Sequence, residues 1–373
     1  MRILYINDAI AIWGGIERIL VEKANYLVEQ YGYNVAIVTS DQGCHDIPFN
    51  LNPRIIFEDL GIRFHQQYNY HGVKRLLGSL MLHRKYRCLL KQKIREYRPD
   101  VIISMRVELV ADLLSVKGDI PLIVESHSCC KCFEFEGFGM QRRLAYQLQL
   151  VNISKINMLI SLTSQDACDW SRIVPKVLVI PNMVKLNPAE SYSTQETKSV
   201  IFVGRFSKQK NIEGLLKIWG IVSKIHQDWI INIYGEGELG YLIEDAAKRN
   251  RSIIVHAPTS EIFECYLNSS ILLLTSIYEP FGLVLPEAMS CGLPVVSFDS
   301  PYGPADIITD GVDGFLIKNR DINVFANRVC QLIEDKELRM RMGQAAIKSS
   351  QRYRADVIMP KWRELFESLC HKE

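Results

Sequence analysis

The sequence predicts an α/β protein built from two doubly wound parallel sheets. Short runs rich in Val and Ile alternate with amphipathic segments of helical length, this alternation forms two consecutive series, and a polar, aperiodic stretch separates them. Strands that helices cover on both faces are continuously apolar, and strands alternating with helices are typical of parallel sheets. The chain of 373 residues is long enough for two such domains.

Each series contains six predicted strands. Those of the first series are 3–6, 35–39, 101–104, 122–125, 159–162 and 177–180, and those of the second are 200–203, 230–234, 253–256, 271–275, 295–298 and 314–317. Segments 16–31, 211–225 and 321–333 repeat apolar residues at helical spacing. Asn211 and Asp321 have the side chains expected of residues that cap the last two helices.

The boundary between the domains is predicted in the stretch 181–198, which is polar, contains two prolines and lacks periodicity. We assign 1–185 to an amino-terminal domain and 186–355 to a carboxy-terminal domain. The last helix, 356–373, is expected to pack back on the first domain. Ligands of open α/β sheets bind beyond the carboxyl ends of the strands, so we expect a cleft between the two carboxyl edges.

Composition excludes several classes of protein. The chain is 48% apolar and 23% charged with a net charge of +2, which argues against a disordered or fibrous chain and against a polybasic nucleic-acid binder. No apolar run approaches the ~20 residues that span a bilayer. The first apolar run ends at Asn7 and Asp8, which makes a poor signal peptide and a good strand. We therefore expect a cytoplasmic location and no nucleic-acid partner.

The ten cysteines are expected to be reduced, mostly buried thiols. One cluster differs, because His127, Cys129, Cys130 and Cys132 place four potential metal ligands in six residues. Zinc sites usually combine two such pairs, and no second C-x2-C pair follows here. A zinc site at this cluster therefore remains the less favoured alternative.

The first turn of each domain has features that suit an anion. In the first domain Gly14 and Gly15 open a helix after a strand and a loop, although a glycine turn that serves only the chain path fits equally well. The loop lacks G-x-G-x-x-G, so a nicotinamide dinucleotide is not implied. In the second domain Gly204 precedes Arg205 and Lys210, which suit a diphosphate. The alternative is a solvated basic loop.

The densest segment contains Glu279 and Glu287, separated by seven residues, before and within a predicted helix that begins near Leu283. Both acids lie near amides that have no partner within the helix, such as that of Gly282. Carboxylates accept hydrogen bonds from hydroxyl groups, and the amides suit a phosphate. The alternative is two surface acids that stabilise the helix start by ~0.3–1 kcal/mol each.

The segment from Glu279 to Glu287 resembles the E-x7-E signature of retaining, nucleotide-sugar-dependent GT-B glycosyltransferases, the glycosyl transferases of group 1. Further segments match the same family in order and spacing: Val203-Gly204-Arg205 with Lys210, Tyr234-Gly235-Glu236-Gly237, Tyr302-Gly303-Pro304, Gly311-x-x-Gly314 and Gly14-Gly15-x-Glu17. The match is strong over 200–320 and weaker in the first domain.

The resemblance implies two Rossmann-like domains facing across a cleft, with the donor held mainly by the second. The implied reaction transfers a hexose-type sugar from a nucleotide diphosphate sugar, with UDP as the expected nucleotide, to a saccharide or lipid-linked acceptor in cell-envelope polysaccharide synthesis. Arg205 and Lys210 would hold the diphosphate, Glu279 the donor sugar and Glu287 the ribose. His127 would line the donor sugar, or would only complete a hydrogen-bond network.

The resemblance assigns two sets of residues. The catalytic set is His127, Arg205, Lys210 and Glu279, and the donor-binding set is Gly14, Gly15, Gly204, Gly235, Phe281, Gly282, Leu283 and Glu287. No D-x-D-type pair follows a strand, so we expect no metal and no cofactor. No carboxylate is clearly placed as the covalent nucleophile that retention ordinarily uses; the family instead implies same-face attack by the acceptor. Asp306, where the family often has Glu, and His256, before the expected base pocket, depart from its pattern.

Segment 74–98 is basic and amphipathic, with nine cations and one acid interleaved with apolar residues. Such a helix can lie on an anionic membrane, which would allow weak peripheral contact with the inner face. The alternative is an outer helix whose apolar side packs on the sheet. Two other functions also remain open at this point: a nucleotide-sugar epimerase of GT-B fold, and a catalytically idle GT-B module that only binds a partner.

Overall fold

The computed structural model describes residues 1–132, 134, 140–187 and 191–370. The chain divides into two compact units. Unit 1 consists of Met1–Met183 together with Met359–Glu373, and unit 2 is Val184–Ile358. The boundaries predicted after residues 185 and 355 lie within two to three residues of this division.

Unit 1 contains a seven-stranded sheet in which every neighbouring pair is parallel. Its strands are β1 Arg2–Asn7, β2 Asn34–Thr39, β3 Ile56–Asp59, β4 Val101–Ser104, β5 Leu122–Ser126, β6 Met158–Ser161 and β7 Val177–Val179, in the order β3-β2-β1-β4-β5-β6-β7. Strand β3 is not among the predicted strands. This strand lies at the edge of the sheet and is only partly buried, so it lacks the continuous apolar run of the central strands.

Helices among the described residues accompany this sheet before the chain enters unit 2. They are α1 Gly15–Tyr31, α2 Gly72–Tyr97, α3 Val110–Val116, α4 Met140–Ile153 and α5 Ser164–Trp170. One face of α1 is buried because Ile19, Leu20, Ala24 and Leu27 recur at helical spacing. Helix α2 differs from α1, since only Tyr86, Leu90 and Ile94 of its 26 residues are buried.

Unit 2 contains a six-stranded sheet, again entirely parallel, with order β10-β9-β8-β11-β12-β13. Its strands are β8 Ser199–Val203, β9 Ile230–Tyr234, β10 Ile253–His256, β11 Ile271–Leu274, β12 Val295–Phe298 and β13 Gly314–Ile317. Its helices are α6 Ile212–Ile225, α7 Gly240–Arg249, α8 Ile262–Leu267, α9 Val284–Ser290, α10 Gly303–Ile307, α11 Ile322–Glu334 and α12 Lys336–Ser350. The predicted fold class, two doubly wound parallel sheets, is confirmed.

Helix α13, Ala355–Cys370, ends the described chain, and its residues from Met359 onward belong to unit 1. Trp362 and Phe366 of this helix are buried, and the Phe366 ring lies 6.4 Å from the ring of Tyr33. Fully burying a large apolar side chain stabilises a fold by roughly 1.5–3 kcal/mol. These contacts attach helix α13 to unit 1.

Both predicted helix caps are present. Asp321 accepts hydrogen bonds from the backbone N–H groups of Asn323 and Val324 at the start of α11, and Asn211 accepts one from Gly214 at the start of α6. Each such cap stabilises its helix by about 1 kcal/mol. Within the described part of the chain, none of the helices combines the length and apolarity needed to cross a bilayer.

The strand order places one reversal point in each sheet, between β1 and β4 in unit 1 and between β8 and β11 in unit 2. At such a point the loops after the two central strands diverge and leave a crevice at the carboxyl edge. The loops after β8 and β11 carry the densest sequence motifs. The fold thus brings the two most informative segments of unit 2 to one place.

Candidate functional site

The loop after β8 is held against the loop after β9 by backbone hydrogen bonds. Gly204 donates its N–H to Tyr234 at 3.0 Å, and Phe206 donates its N–H to Glu236 at 2.7 Å. A Cβ atom on Gly235 would lie 2.0 Å from the Gly204 carbonyl oxygen, and the φ of Gly235 is +150°. Only glycine fits there. The primary role of Gly235 is therefore to let the two loops approach each other closely.

The loop after β8 is also tied to the loop after β11, across the reversal point. The backbone N–H of Ile277 donates to the Gln209 carbonyl at 2.7 Å, and the Thr275 hydroxyl donates to the Lys210 carbonyl at 2.8 Å. A short 3-10 turn, Lys208–Lys210, lies between these contacts. Side chains on the two loops are therefore held at fixed separation.

Lys210 and Glu279 meet at this junction. The Lys210 Nζ lies 2.5 Å from the Glu279 Oε2, and the Ser276 hydroxyl donates to the same oxygen at 2.9 Å. Their side chains are 15% and 9% exposed. A charge-assisted hydrogen bond in such a place is strong, yet both groups stay within reach of solvent. The cation and the carboxylate predicted to bind the donor thus form an ion pair with each other.

The backbone of Glu279 is fixed on both sides. Its N–H donates to the Pro301 carbonyl at 3.1 Å, and its carbonyl accepts from the Gly303 N–H at 2.7 Å. Gly282 adopts a φ of +90°, and a Cβ atom there would lie 3.0 Å from the Glu279 Cγ. This backbone conformation favours glycine. The Pro-Phe-Gly sequence that follows Glu279 therefore determines the loop conformation that holds this residue.

Glu287 lies within α9 and is 3% exposed. The Tyr266 hydroxyl, from α8, donates to its Oε2 at 3.3 Å. Phe281 is also buried, and its ring makes an edge-to-face contact with Tyr353 at 5.5 Å. The assignment of Phe281 to the donor-binding set stays a prediction. In the structure its ring packs the loop against Tyr353. Leu283 is the residue that precedes α9.

Arg205 lies on the same loop as Lys210 and its side chain is exposed. Beside this loop the ring of His256, at the end of β10, stacks on Tyr234 at 4.3 Å, and its Nε2 lies 2.8 Å from the Asn232 Oδ1. Burial lowers the pKa of His256. Asp306, the other departure from the family pattern, lies in α10, where its carbonyl accepts from Tyr353 at 3.2 Å.

The first-domain candidates lie in unit 1. Gly14 precedes α1, and a Cβ atom on it would lie 1.9 Å from the Glu17 Oε2, because that carboxylate folds back over the helix start. Gly15 is the first residue of α1 and is exposed. Across the reversal point of this sheet the Arg106 Nε lies 2.8 Å from the Asp8 Oδ2.

His127 follows β5 and its side chain is only 4% exposed. Its Nε2 lies 3.3 Å from the Oε2 of Glu125, and the same oxygen accepts a hydrogen bond from the Lys23 Nζ. Burial pushes the pKa of the Glu125 carboxyl up, but Lys23 and His127 together outweigh it, so the pKa is lowered. Burial lowers the pKa of Lys23, which the pair with Glu125 partly offsets.

The cysteine cluster shows no metal geometry in the part of the chain that the structure describes, where no three His, Cys, Asp or Glu side chains group as ligands. Cys129 and Cys130 are buried and unpaired by disulfide. Burial raises the pKa of the Cys130 thiol to about 12. That thiol is protonated at neutral pH and is a poor metal ligand and nucleophile.

Several residues at these sites were missed from sequence. Nothing in the sequence identifies Tyr266 and Ser276 as site residues, because their contacts with Glu287 and Glu279 arise only in the folded chain. Lys23 does carry one, since it lies among Ile19, Leu20 and Leu27 on the buried face of α1. A lysine on an apolar face requires a buried partner, and the structure supplies it as Glu125.

Two family models match the chain. The model of the glycosyl transferases group 1 matches residues 185–349, and that of glycosyltransferase family 4 matches residues 13–187. Together they extend across both units. The match to the first contains the Lys210–Glu279 junction, which agrees with the resemblance drawn from the motifs.

Similar proteins are named as glycosyltransferases. The chain is 27% identical over 382 residues to the amylovoran biosynthesis glycosyltransferase AmsD of Erwinia amylovora, covering 98% of this chain and 99% of that protein. It is 33% identical over 224 residues to the poly(ribitol-phosphate) alpha-N-acetylglucosaminyltransferase of Staphylococcus aureus, covering 58% of this chain and 45% of that protein.

Solved structures share the fold. A mutant of S. aureus TarM, crystallised with fondaparinux, alpha-GlcNAc-glycerol and UDP, aligns with a TM-score of 0.79 at 19% identity, covering 98% of this chain and 99% of that one. A structure of Anabaena HepE in complex with UDP and glucose aligns with a TM-score of 0.74 at 20% identity, covering 98% and 99%. At such identities the likeness establishes the fold.

Proposed function

Because the chain belongs to the group 1 glycosyltransferases and has the GT-B fold, we propose that it is a retaining enzyme that transfers a hexose-type sugar from a UDP-sugar. The proposed acceptor is a saccharide or lipid-linked chain of a cell-envelope polysaccharide. The names of AmsD and of the poly(ribitol-phosphate) transferase support a polymer acceptor, and the UDP bound to TarM and HepE supports UDP.

The Lys210–Glu279 pair at the reversal point of unit 2 is the observation that carries this proposal. Breaking the bond between a sugar and a diphosphate leaves negative charge on the nucleotide. The largest catalytic contribution usually comes from fixed donors aimed at such developing charge. Lys210 and the exposed Arg205 supply positive charge on one loop, and Glu279 supplies an acceptor for sugar hydroxyls.

Donor binding would redistribute the contacts of this pair. The ammonium of Lys210 would turn to the diphosphate, and the carboxylate of Glu279 would accept from hydroxyl groups of the sugar while it keeps the Ser276 hydroxyl. Glu287 would accept from the ribose, and the Gly282 and Leu283 amides would contact the donor. Gly15 and His127 keep the roles that the family resemblance implies.

The proposed step retains the configuration of the anomeric carbon. The acceptor hydroxyl attacks that carbon on the face from which UDP departs, the sugar–phosphate bond breaks, and the hydroxyl proton passes to the leaving phosphate oxygen. Because Lys210 and Arg205 supply positive charge to the leaving diphosphate, we propose that the reaction needs no divalent metal.

The test is a panel of UDP-, GDP- and ADP-sugars with a saccharide acceptor, run with and without EDTA. Release of UDP with an α-linked product from an α-linked donor, unchanged by EDTA, is expected. A changed sugar without UDP release would instead identify an epimerase, and no binding in calorimetry would identify an idle module. Loss of activity in EDTA that Mg²⁺ or Mn²⁺ restores would contradict the metal-free mechanism.

We also propose that the first half of α2 touches an anionic membrane on the inner face, which would place this cytoplasmic enzyme near lipid-linked acceptors. Leu76, Leu77, Leu80 and Met81 are each more than half exposed. The next turn of the helix carries exposed basic residues from the segment 74–98. Apolar side chains next to cations suit the boundary between headgroups and acyl chains.

The second half of α2 is less suited to lipid. Lys93 pairs with Glu58 at 2.7 Å and with Glu96 at 3.0 Å. We therefore expect Leu77→Asp with Met81→Asp to weaken sedimentation with phosphatidylglycerol vesicles severalfold, whereas Lys93→Glu has a smaller effect. Equal sedimentation of all three proteins would contradict membrane contact through this helix.

A further inference from the structure

A fully buried lysine and glutamate lie beside His127 in unit 1, and neither has a role in the proposed function. Lys23 lies on α1 and Glu125 on β5, with side chains 2% and 0% exposed. Two charges this deep lose most of their hydration, which is strongly unfavourable even when they pair. Apolar residues of the same size could fill the space at lower cost, so the pair calls for a reason beyond stability.

The surroundings of the pair show that it is built to one geometry. The Lys23 ammonium lies 4.0 Å from the centre of the Trp362 ring, on α13, which adds a cation–π contact. Tyr5 on β1 is buried near the carboxylate, whose negative charge helps to raise the pKa of Tyr5, after burial itself. Helix α1, strands β1 and β5 and helix α13 therefore all contribute to the position of Glu125.

Glu125 uses one oxygen for two partners. Its Oε2 accepts from Lys23 and lies 3.3 Å from the Nε2 of His127. Its Oε1 is buried and has no hydrogen-bond partner among the residues that the structure describes. The buried Nε2 of His127 likewise has no hydrogen-bond partner among the described residues, so its approach to Oε2 is an electrostatic contact. The carboxylate therefore faces the imidazole through one defined nitrogen.

The backbone around His127 is fixed as well. The Ser126 hydroxyl donates to the Ser128 carbonyl and accepts from the Trp170 Nε1 at 3.1 Å. Two residues further, the Cys130 N–H donates to the Asp166 carboxylate at 2.7 Å. Hydrogen bonds on both sides of His127 therefore restrict its main chain.

We propose that Lys23 and Glu125 are positioning residues for His127. The negative charge of Glu125, 3.3 Å from Nε2, favours the tautomer of His127 in which Nε2 carries the proton, which leaves Nδ1 as the atom with which the ring can meet a ligand. Lys23 keeps Glu125 ionised in a place where a lone carboxylate would take up a proton. The inference rests on the proposed function only in that His127 meets the donor sugar.

The test separates positioning from a simple stabilising ion pair. Lys23→Met alone leaves a buried, uncompensated carboxylate and is expected to fold poorly. The double variant Lys23→Met/Glu125→Gln removes both charges at nearly constant volume, and we expect its melting temperature to return towards that of the wild type. Lys155→Met, an exposed lysine of unit 1, is the matched control.

Kinetics of the folded variants then decide the role. Glu125→Gln and the double variant are expected to lower kcat at least about tenfold with KM for the UDP-sugar changed less than threefold, because a lost orientation acts on the reacting geometry. In a His127→Ala background Glu125→Gln should cause no further loss. A double variant with the kcat of the wild type, or an equal loss in both backgrounds, would overturn the proposal.

A spectroscopic measurement keeps this inference separate from the proposed function. The ¹⁵N resonances of the His127 ring report which nitrogen carries the proton, whether or not the chain transfers a sugar. We expect the Nε2–H tautomer in the wild type and a mixture in the double variant. If no donor in the panel supports transfer, the proposed function fails while the tautomer still tests the positioning; a ring protonated mainly at Nδ1 in the wild type would refute it.

Discussion

Each unit of the molecule contains a lysine–glutamate pair beside the carboxyl edge of its sheet, and the two pairs differ in how far they reach solvent. Lys210 and Glu279 come from two loops at the reversal point of unit 2 and are 15% and 9% exposed. Lys23 and Glu125 come from a helix and a strand of unit 1 and are 2% and 0% exposed. The same two residue types are therefore placed in two different environments.

The difference in burial between the two pairs implies a difference in function. A pair that solvent can reach can exchange its partners for those of a ligand, because water and the ligand compensate the separated charges. A pair without access to solvent cannot separate without leaving a bare charge, which is strongly unfavourable. The pair of unit 2 is thus suited to binding, and that of unit 1 to holding a neighbouring group in place.

The largest expected effect is on stability and concerns the pair in unit 1. Lys23→Met should lower the free energy of unfolding by about 3–5 kcal/mol, since it leaves Glu125 buried without its cation. Lys210→Met should cost only about 1–2 kcal/mol, because Glu279 keeps the Ser276 hydroxyl and some access to water. Urea unfolding followed by hydrogen exchange within each unit measures both values. Equal losses would remove the distinction between the pairs.

The second-largest expected effect is on catalysis. Here the pair of unit 2 is expected to matter more than the pair of unit 1. Lys210→Ala should lower kcat by ~10²-fold or more, as expected for the loss of one donor to a developing charge. Lys208→Ala is the matched control, because this exposed lysine lies on the same 3-10 turn and is expected to change kcat little. Steady-state release of UDP provides the measurement. Wild-type kinetics in Lys210→Ala would exclude the diphosphate role.

The sequence predicts that Lys210 and Glu279 lie at one site, whereas it does not predict the contact between Lys23 and Glu125, and the reason is physical. The loops of Lys210 and Glu279 follow strands in adjacent positions of a doubly wound sheet, so their carboxyl ends meet at a predictable place. Lys23 and Glu125 are 102 residues apart, and their contact depends on how α1 lies over β5. The lysine on an apolar helix face indicated a buried partner, but nothing in the sequence named it.

The strands show the same limit. Every central strand was predicted, because burial on both faces requires a continuous apolar sequence. The edge strand β3 was missed since solvent reaches it and its sequence is mixed. The donor contact of Phe281 stays a prediction from the motif, whereas the packing of its ring against Tyr353 is seen only in the structure.

The smallest predicted effect tests whether a neighbouring cation, such as Lys23 beside Glu125, keeps a buried carboxylate charged. Asp166, in α5 of unit 1, accepts from Cys130, Ser161 and Trp170 but has no cation among these partners. Burial raises its pKa to about 6, against the lowered pKa of Glu125. The two carboxylates therefore respond to pH in opposite directions.

For Asp166 the folded chain binds the proton more tightly than the unfolded chain, so its contribution to stability is complete below pH 3.8 and is lost as the pH rises through about 6. The free energy of unfolding of the wild type, relative to that of Asp166→Asn, should fall by about 2 kcal/mol between pH 4 and pH 7. The single oxygen of Asn cannot replace both carboxylate oxygens, which accept from Cys130 and from Trp170, so the slope with pH and not the offset is the measured quantity.

For Glu125 the sign is the reverse. The free energy of unfolding of the wild type, relative to that of Lys23→Met/Glu125→Gln, should be constant above pH 4.5 and fall as the pH decreases further. Two slopes of the same sign would show that burial alone, rather than the presence of Lys23, determines the charge of these carboxylates.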